Sequence, residues 1–303
     1  MTDAIEAMKD AFTEISSGES EVPIRTFLGN VDKKSCQLSM PCYSKRKGLY
    51  SVKLVTVFPE NKNSGLPIIH GKLMLFDASN GKPLALLDAE YLTALRTGAA
   101  SGLATQLLSR EDSSVLAIIG TGKQALLQVE AVLAVRPIQK ILVKGTTKSK
   151  AETFSNKLIE KFNVASFAIN HEDELLQADI ICTTTTSSLP VIDSRFIKPG
   201  VHINAIGGYR ADMQEIPSTI MQNAFIVIDQ YKAALEEAGD IIIPINEGLI
   251  KKENIVAELG ELVSGMKPLK ENTNQISVFK SVGNAMQDLM IGRLVLKKLE
   301  VRA

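Results

Sequence analysis

The chain has 303 residues, of which 45% are hydrophobic and 22% are charged, so it is long enough to bury a sizeable core and to form two domains. Its 34 basic and 34 acidic residues leave no formal net charge, which excludes recruitment of nucleic acid or an anionic membrane by overall charge; we expect neither as a partner. Three cysteines without a C-x-x-C pair favour a reducing compartment. The sequence has no run of 18 apolar residues and no leader pattern, so we expect a cytoplasmic protein.

The first third of the chain indicates a helix followed by a mainly antiparallel sheet. Residues 1–20 carry an amphipathic helix pattern, and Tyr50–Val57 alternates in the way that strands do. Ser79–Lys82 is typical of a hairpin turn between two apolar runs. A long helix is then predicted over Ala89–Ser109.

From about residue 113, strands alternate with helices, which predicts an α/β fold with a doubly wound parallel sheet. The predicted strands are Val115–Ile119, Ile141–Val143, Ala165–Ile169, Ile180–Thr183, His202–Ile206 and Ala224–Ile228. From about Ser277 the pattern becomes helical again. We therefore expect one domain over 113–275 and a second formed by 1–112 together with 276–303.

The segment Leu116–Ala125 joins an apolar strand to a helix through a glycine turn, and this predicts a dinucleotide site. Gly120 permits the tight turn, Gly122 lets the backbone approach a pyrophosphate, and Ala125 allows close packing of helix and strand. The phosphates would lie on the free N–H groups at the helix start. An ordinary strand–turn–helix connection is the alternative. The spacing around Lys123 excludes a P-loop.

Three cations in the first third are candidates for holding a substrate carboxylate: Arg25, Lys53 and Arg96. Lys53 lies in an otherwise apolar strand, and a lysine close to other cations can have its pKa lowered enough for proton transfer. A solvated lysine on an open sheet face and an arginine on a helix surface are the alternatives for Lys53 and Arg96.

The loop after the second predicted parallel strand bears on the choice of cofactor. Enzymes that use NAD usually place an acidic residue there, whereas this loop offers Thr146, Thr147 and Lys148. These residues favour NADP, with NAD as the alternative cofactor and a helix-capping threonine as the structural alternative. At a neighbouring strand end, Thr183 and Thr184 are candidate cofactor contacts, with a capping loop as the alternative.

Two further kinds of site find no support in the sequence. The three histidines, His70, His171 and His202, show no metal-ligand spacing, so we predict no metal site. No G-x-S-x-G segment is present to indicate serine hydrolysis.

Along nearly its whole length the chain resembles the ornithine cyclodeaminase and mu-crystallin family. The segments that carry the resemblance are Pro23–Arg25, Met40–Tyr43, Lys53–Thr56, Gly65–Pro67, Leu95–Ala99, Gly120–Ala125, Lys198–Gly207 and Glu237–Asp240. The resemblance implies a homodimer in which a Rossmann domain is inserted into an α+β domain built from both chain ends.

The resemblance also implies roles for individual residues. Arg25, Lys53 and Arg96 match positions that hold an amino-acid carboxylate, with the lysine near the reacting nitrogen. Arg210 resembles a substrate-facing arginine, although a position on the loop surface is equally compatible with the sequence. The resemblance extends the predicted cofactor contacts to five further residues of matching segments: Thr97, Thr121, Gln124, Val282 and Gly283.

Members of the family catalyse several reactions that share hydride exchange at the carbon bearing the amine. Cyclodeaminases carry an aspartate after the Asn-Ala-Ile-Gly segment, and here Tyr209 stands at that position, while Asp212 matches a different one. We therefore predict an NAD(P)H-dependent reductase of small cyclic imino acids such as Δ1-pyrroline- or Δ1-piperideine-2-carboxylate. The alternatives are an ornithine cyclodeaminase, an alanine-type amino-acid dehydrogenase and a non-catalytic protein that binds NADPH and a small ligand. The ring size, the physiological direction and whether cyclodeaminase activity survives with Tyr209 stay open.

Overall fold

The computed structural model of the chain describes residues 1–30 and 35–300. The first part is an antiparallel sheet with strand order β1-β3-β4-β5-β6, in which β2 also pairs with β3. Its strands are β1 (Ser20–Glu21), β2 (Thr26–Asn30), β3 (Ser35–Ser44), β4 (Leu49–Val57), β5 (Ile69–Asp77) and β6 (Pro83–Asp88). Helix α1 (Thr2–Ser16) precedes this sheet and α2 (Ala89–Leu108) follows it.

The predicted hairpin and long helix of this part are confirmed. β5 and β6 pair antiparallel across the turn, where Gly81 has φ +76°, a left-handed conformation that glycine adopts without steric cost. The carboxylate of Asp88 caps α2 by accepting a hydrogen bond from the N–H of Glu90 at 3.0 Å.

The second part is a sheet in which all neighbouring strands are parallel, in the order β13-β12-β14-β11-β10-β7-β8-β9. Its strands are β7 (Val115–Ile119), β8 (Lys140–Lys144), β9 (Ala165–Ala168), β10 (Ile180–Thr183), β11 (His202–Ala205), β12 (Phe225–Ile228), β13 (Ile255–Glu258) and β14 (Ser277–Lys280). The helices along this part are α3 (Lys123–Leu133), α4 (Lys148–Phe162), α5 (Ser218–Met221), α6 (Tyr231–Glu237), α7 (Gly239–Asn246) and α8 (Leu259–Val263). The doubly wound α/β class predicted from the sequence is confirmed.

The prediction of a helix from about Ser277 is wrong for its first residues. Ser277–Lys280 form β14, which pairs with β11 on one side and β12 on the other, and helix α9 runs over Ala285–Glu300. β13, which the sequence analysis did not predict, forms one edge of the sheet. The division at 112/113 and 275/276 stays a prediction, and residues 31–34 and 301–303 of the proposed first domain lie outside the described residues.

The last strand and helix join the two parts. α9 packs against α1, α2, β3, β4 and β5, and the ring of Phe279 in β14 meets that of Phe12 in α1 edge to face, with centroids 6.5 Å apart. Gly98 lets α2 approach α3 closely, since a Cβ there would lie 2.6 Å from the carbonyl oxygen of Leu127. Within the described ranges, no helix has the length and apolar character needed to cross a membrane.

Candidate active site

Lys53 points from β4 into the protein and is almost completely buried, at 2% exposure. The alternation of β4 places residues 49, 51, 53 and 55 on its covered face, so the alternative of a solvated lysine is wrong. Its ammonium Nζ lies 2.6 Å from Oδ2 of Asp288 in α9. A buried charge is costly unless it is paired, and this carboxylate supplies the partner.

Arg96 lies beside this pair, which also excludes its alternative position on a helix surface. It is 6% exposed, its Nε is 3.3 Å from Oδ1 of Asp288, and its Nη1 donates a hydrogen bond of 2.8 Å to Oε1 of Gln287. Asp288 therefore bridges two cations that come from different elements, β4 and α2.

Arg25 reaches the same region from the segment ahead of β2. Its Nη2 donates hydrogen bonds to the carbonyl oxygens of Val282 and Gly283, at 3.0 and 2.7 Å, and forms an ion pair of 2.8 Å with Glu237. Gly283 has φ +77°, and a Cβ at this position would lie 2.1 Å from Nη1 of Arg96. The loop between β14 and α9 can thus fit between the two arginines only with glycine at 283.

The electrostatics of this cluster alter the titration of Lys53. Burial and the charges of Arg96 and Arg25 together lower its pKa to about 8, against the opposing charge of Asp288. A lysine with this pKa holds its proton at neutral pH and gives it up more readily than a solvated one. The three predicted cations therefore lie together, with chemistry suited to an anionic substrate and proton transfer.

The loop that carries Val282 and Gly283 is held by a buried carboxylate. Asp229, at the end of β12, accepts hydrogen bonds from the Ser281 hydroxyl at 2.8 Å and from the N–H groups of Val282 and Gly283 at 3.0 and 2.7 Å. Burial raises the pKa of Asp229. The hydrogen bonds fix the backbone next to both arginines.

A second buried network shapes the loop after β11. Lys280 and Asp240, both fully buried, form an ion pair of 2.8 Å, and Oδ1 of Asp240 accepts the N–H groups of Glu215 and Ile216. Glu215 in turn accepts hydrogen bonds from the Thr183 hydroxyl at 3.0 Å and from the N–H of Gly207 at 2.6 Å. The Thr183 hydroxyl is thus engaged within the protein, and its predicted cofactor contact stays a prediction.

The same loop carries Tyr209 and Arg210. Burial raises the pKa of the Tyr209 phenol, and the charges of Arg210 and Arg25 oppose this rise. Arg210 has a side chain that is 60% exposed and pairs with Asp212. Arg210 is therefore exposed on this loop, and its predicted contact with a substrate stays a prediction.

The predicted dinucleotide turn has open space where phosphates would lie. Gly120 has φ +107° and a Cβ on it would meet the Thr184 hydroxyl at 2.6 Å, whereas a Cβ on Gly122 would meet nothing within 4 Å. Gly122 caps α3 without any side-chain hydrogen bond, and no acidic residue lies in the first turn. These features fit a bound pyrophosphate. In the described part of the chain, Oε1 of Gln124 is buried without a hydrogen-bond partner; this oxygen only accepts hydrogen bonds, so its partner would be a donor such as a hydroxyl and not a phosphate oxygen.

Most of the other predicted cofactor residues follow the carboxyl ends of strands, whereas Thr97 lies in α2. The Thr147 hydroxyl caps α4 by accepting the N–H of Lys150 at 3.3 Å, and Lys148 is 67% exposed. The Thr184 hydroxyl donates to the carbonyl oxygen of Ile119 at 3.1 Å, and that of Thr97 donates to Thr93 at 2.7 Å. Contacts of these residues with a cofactor stay predictions, as do those of Thr121, Ala125, Thr146, Val282 and Gly283.

A family model described as the ornithine cyclodeaminase/mu-crystallin family matches residues 1–302. The chain belongs to this family. Among its relatives, a Δ1-pyrroline-2-carboxylate reductase of Bacillus cereus is 43% identical over 300 residues, covering 98% of this chain and 92% of the relative.

Solved structures of family members have the same fold. A Δ1-pyrroline-2-carboxylate reductase of Thermococcus litoralis, in complex with NADH and L-proline, superposes with a TM-score of 0.95 at 37% identity, covering 100% of this chain and 94% of that chain. A dimeric archaeal alanine dehydrogenase with bound NAD gives a TM-score of 0.94 at 31% identity, covering 100% of this chain and 92% of that chain.

Sequence reasoning missed the acidic partners of the cations in this family site. Asp288 lies in the first turn of α9, where the helix dipole stabilises an acidic side chain. An acid at this position therefore gives no indication of a further role. Its neighbour Gln287 is also fully buried. These two adjacent polar residues interrupt the otherwise apolar run Ala285–Ile291, and this interruption could have indicated a buried polar site. Glu237 falls in a segment that resembles the family, but no role was assigned to it.

Proposed function

We propose that this chain is an NAD(P)H-dependent reductase of small cyclic imino acids such as Δ1-pyrroline- and Δ1-piperideine-2-carboxylate. The observation that carries the proposal is the buried cluster of Arg25, Lys53 and Arg96, which contacts the loop at the carboxyl end of β14 in the same sheet that carries the dinucleotide turn. The 43% identity to the Bacillus cereus Δ1-pyrroline-2-carboxylate reductase supports it. The resemblance to the Thermococcus litoralis enzyme, whose structure contains NADH and L-proline, supports the same class of reaction.

The charge of the cluster suits a substrate with one carboxylate. Three cations and the two carboxylates that form ion pairs with them, Glu237 and Asp288, leave one positive charge among these five groups. The further buried acid, Asp229, is occupied by the backbone of the Gly283 loop, and burial raises its pKa. An arginine fork can bind a carboxylate through two hydrogen bonds and so fix the orientation of a small ring. Tyr209 provides no carboxylate for a second substrate ammonium, which favours an imino acid over ornithine.

The nicotinamide, when bound, supplies a hydride to the imine carbon. Gly120, Gly122 and the start of α3 would hold the pyrophosphate, and Val282 and Gly283 would lie beside the nicotinamide. Lys53 would give its proton to the imine nitrogen, so that the C=N bond becomes a C–N bond with one hydride and one proton added. The arginines hold the carboxylate and leave the imine carbon free for attack.

We also propose NADP as the preferred cofactor, with NAD as the alternative. The segment after β8 offers Thr146, Thr147 and Lys148 and no acid for the ribose hydroxyls. Lys150 adds a second cation there, with Nζ 3.2 Å from the Thr146 hydroxyl. A higher kcat/KM with NADPH than with NADH is expected, and the opposite preference would contradict this choice.

We further propose that the protein is a homodimer formed through the uncovered face of the antiparallel sheet. Registered neighbours Pro41, Val52, Met74 and Leu86 form one apolar row across four strands on the side away from Lys53. Leu86 is 63% exposed. An uncovered face of an antiparallel sheet is normally polar, so an apolar one indicates a partner. The archaeal alanine dehydrogenase dimer supports a second copy as that partner.

The experiment that tests the function measures oxidation of NADPH and NADH with pyrroline-2-carboxylate, piperideine-2-carboxylate, or pyruvate plus ammonia. Ornithine alone is incubated in parallel and analysed for proline and ammonia. Oxidation that depends on a cyclic imine supports the reductase. Proline and ammonia from ornithine would instead indicate a cyclodeaminase, and tight NADPH binding without turnover would indicate a binding protein.

The three unpaired cysteines, Cys36, Cys42 and Cys182, support a cytoplasmic location.

A further inference from the structure

We infer that Asp288 is a positioning residue that holds the Lys53 ammonium in place and keeps it charged until the substrate imine arrives. The inference rests on the proposed function for the identity of the proton acceptor. It concerns a residue of α9 that lies 235 positions along the chain from Lys53 and that the proposed reaction has so far not used.

The geometry sets Asp288 apart from an ordinary surface partner. Oδ2 lies 2.6 Å from Lys53 Nζ while Oδ1 lies 3.3 Å from Arg96 Nε, so one carboxylate bridges the two cations. The Asp288 and Lys53 side chains are each only 3% exposed, which leaves water little access to either charge. At this distance the carboxylate attracts the ammonium and favours its charged form.

The two arginines near Lys53 both lower its pKa and so favour loss of its proton. Arg96 comes from α2 and Arg25 from the segment ahead of β2, and both lower the pKa of Lys53, as burial does. The nearby thiol of Cys42 in β3 stays neutral, because burial raises its pKa and the charge of Asp288 raises it further. Asp288 is therefore the group that opposes deprotonation of Lys53.

In the proposed step, the N–H bond of Lys53 breaks as the imine nitrogen takes the proton and the imine carbon takes the hydride. The electron pair of the C=N π bond becomes the nitrogen lone pair that binds this proton. Lys53 is left as a neutral amine, Asp288 remains a carboxylate, and a proton from solvent restores the ammonium. Asp288 itself transfers nothing, which is why it is a positioning residue.

The first test measures the titration of Lys53 directly, without any turnover. Protein labelled with 13Cε-lysine is followed by NMR across pH 5 to 11, and the Lys53 signal is assigned by its loss in Lys53→Met. We expect the wild-type signal to titrate near pH 8 and that of Asp288→Asn at least one pH unit lower. Asp288→Glu keeps the carboxylate and is expected to restore most of the shift.

The second test compares the pH dependence of kcat. The reaction needs protonated Lys53, so kcat falls as pH rises through the Lys53 pKa. In Asp288→Asn this fall is expected at least one unit lower, giving a kcat at pH 8 that is at least about fivefold lower and a recovery toward the wild-type value at pH 6. KM is expected to change less than kcat, because the arginines that hold the carboxylate remain.

Asp179→Asn is the matched control for both tests. Asp179 is also buried and also bridges two cations, Arg110 and Lys198, each at 2.8 Å, but it lies at the opposite end of the parallel strands. It is expected to change stability and to leave the Lys53 titration unmoved. An unchanged Lys53 signal in Asp288→Asn would overturn the inference whatever the enzyme reduces. If the signal shifts but the protein reduces no imine, the proposed function is contradicted and the positioning role of Asp288 stands.

Discussion

At the scale of single residues, Lys53 is where burial and neighbouring charges act most directly on chemistry. Its ammonium is held by Asp288, and its pKa of about 8 lies close to the pH at which cellular enzymes work. General acids are most effective when their pKa is near the operating pH. Burial thus gives an ordinary lysine the properties that the reaction requires.

Replacing Lys53 with Met removes the proposed proton donor while keeping the length and apolar part of the side chain. We expect kcat for a cyclic imine to fall by about 100-fold or more. The affinity for NADPH, measured by fluorescence titration, should change less than threefold. Lys72→Met is the control, because Lys72 lies in β5 of the same sheet but is 59% exposed and pairs with Asp88. An active Lys53→Met enzyme would refute the proposed role.

Gly122 offers a test of the cofactor site that separates binding from folding. A Cβ at this position meets nothing within 4 Å in the protein, and its φ of −80° suits alanine, so Gly122→Ala should keep the thermal unfolding midpoint. The added methyl group would occupy space needed by the pyrophosphate, so we expect the Kd for NADPH to rise at least tenfold. Calorimetric titration and thermal unfolding of one sample provide both values. Unchanged affinity would show that the phosphates do not approach this glycine.

At the scale of secondary-structure elements, hydrogen bonds between buried polar side chains connect neighbouring parallel strands and a helix packed against them. His202 in β11 shares hydrogen bonds with Ser277 of β14 at 3.1 Å and with Asn204 at 3.2 Å. The Asn204 amide donates in turn to the Thr105 hydroxyl of α2 at 2.9 Å. This ladder joins β11, β14 and α2 beneath the site.

The ladder predicts how stability depends on pH. Burial lowers the pKa of His202 to about 3 from 6.5, so between these values the unfolded chain binds a proton that the folded protein does not. His202 therefore lowers stability as pH falls below 6.5, by about 2 kcal/mol at pH 5. Urea unfolding at pH 7 and pH 5 measures this loss. It should shrink in His202→Gln and persist in His70→Gln, which changes an exposed histidine.

The sequence was sufficient for elements whose pattern is local. Strand β10 was predicted with its observed bounds, because a short apolar run between turn residues needs no distant information. β14 was not, because Val278, Val282, Met286 and Leu289 continue one helical period across the strand and into α9. Ser277–Lys280 are extended only because they pair with β11 on one side and β12 on the other.

The site shows the same division between local and distant information. The glycine turn is read from ten consecutive residues, whereas the burial of Lys53 depends on α9, which covers one face of β4. Both faces of β4 are largely apolar, one toward the helices and one toward the proposed partner subunit, so alternation could not show which face is open. Asp288 could not be assigned to Lys53 for the same reason: its distance in sequence hides its contact.

At the scale of the whole molecule, the exposed apolar face of the antiparallel sheet predicts the oligomeric state. Leu86→Glu puts a charge in the row formed with Val52 and Met74, and we expect it to convert a dimer into monomers in analytical ultracentrifugation. Leu189→Glu is the control, since Leu189 is 71% exposed and lies outside that sheet. A dimer that survives Leu86→Glu unchanged would place the interface elsewhere.

The position of β14 has a consequence for the order of events during synthesis. This strand lies between β11 and β12, yet it follows β11, β12 and β13 along the chain. During synthesis, β12 and β13 therefore leave the ribosome before the strand that connects them to β11. The parallel sheet, the loop at Gly283 and the position of the Asp288 carboxylate are completed together, once β14 and α9 are available. Nascent chains of this protein are expected to depend on chaperones until α9 has left the exit tunnel.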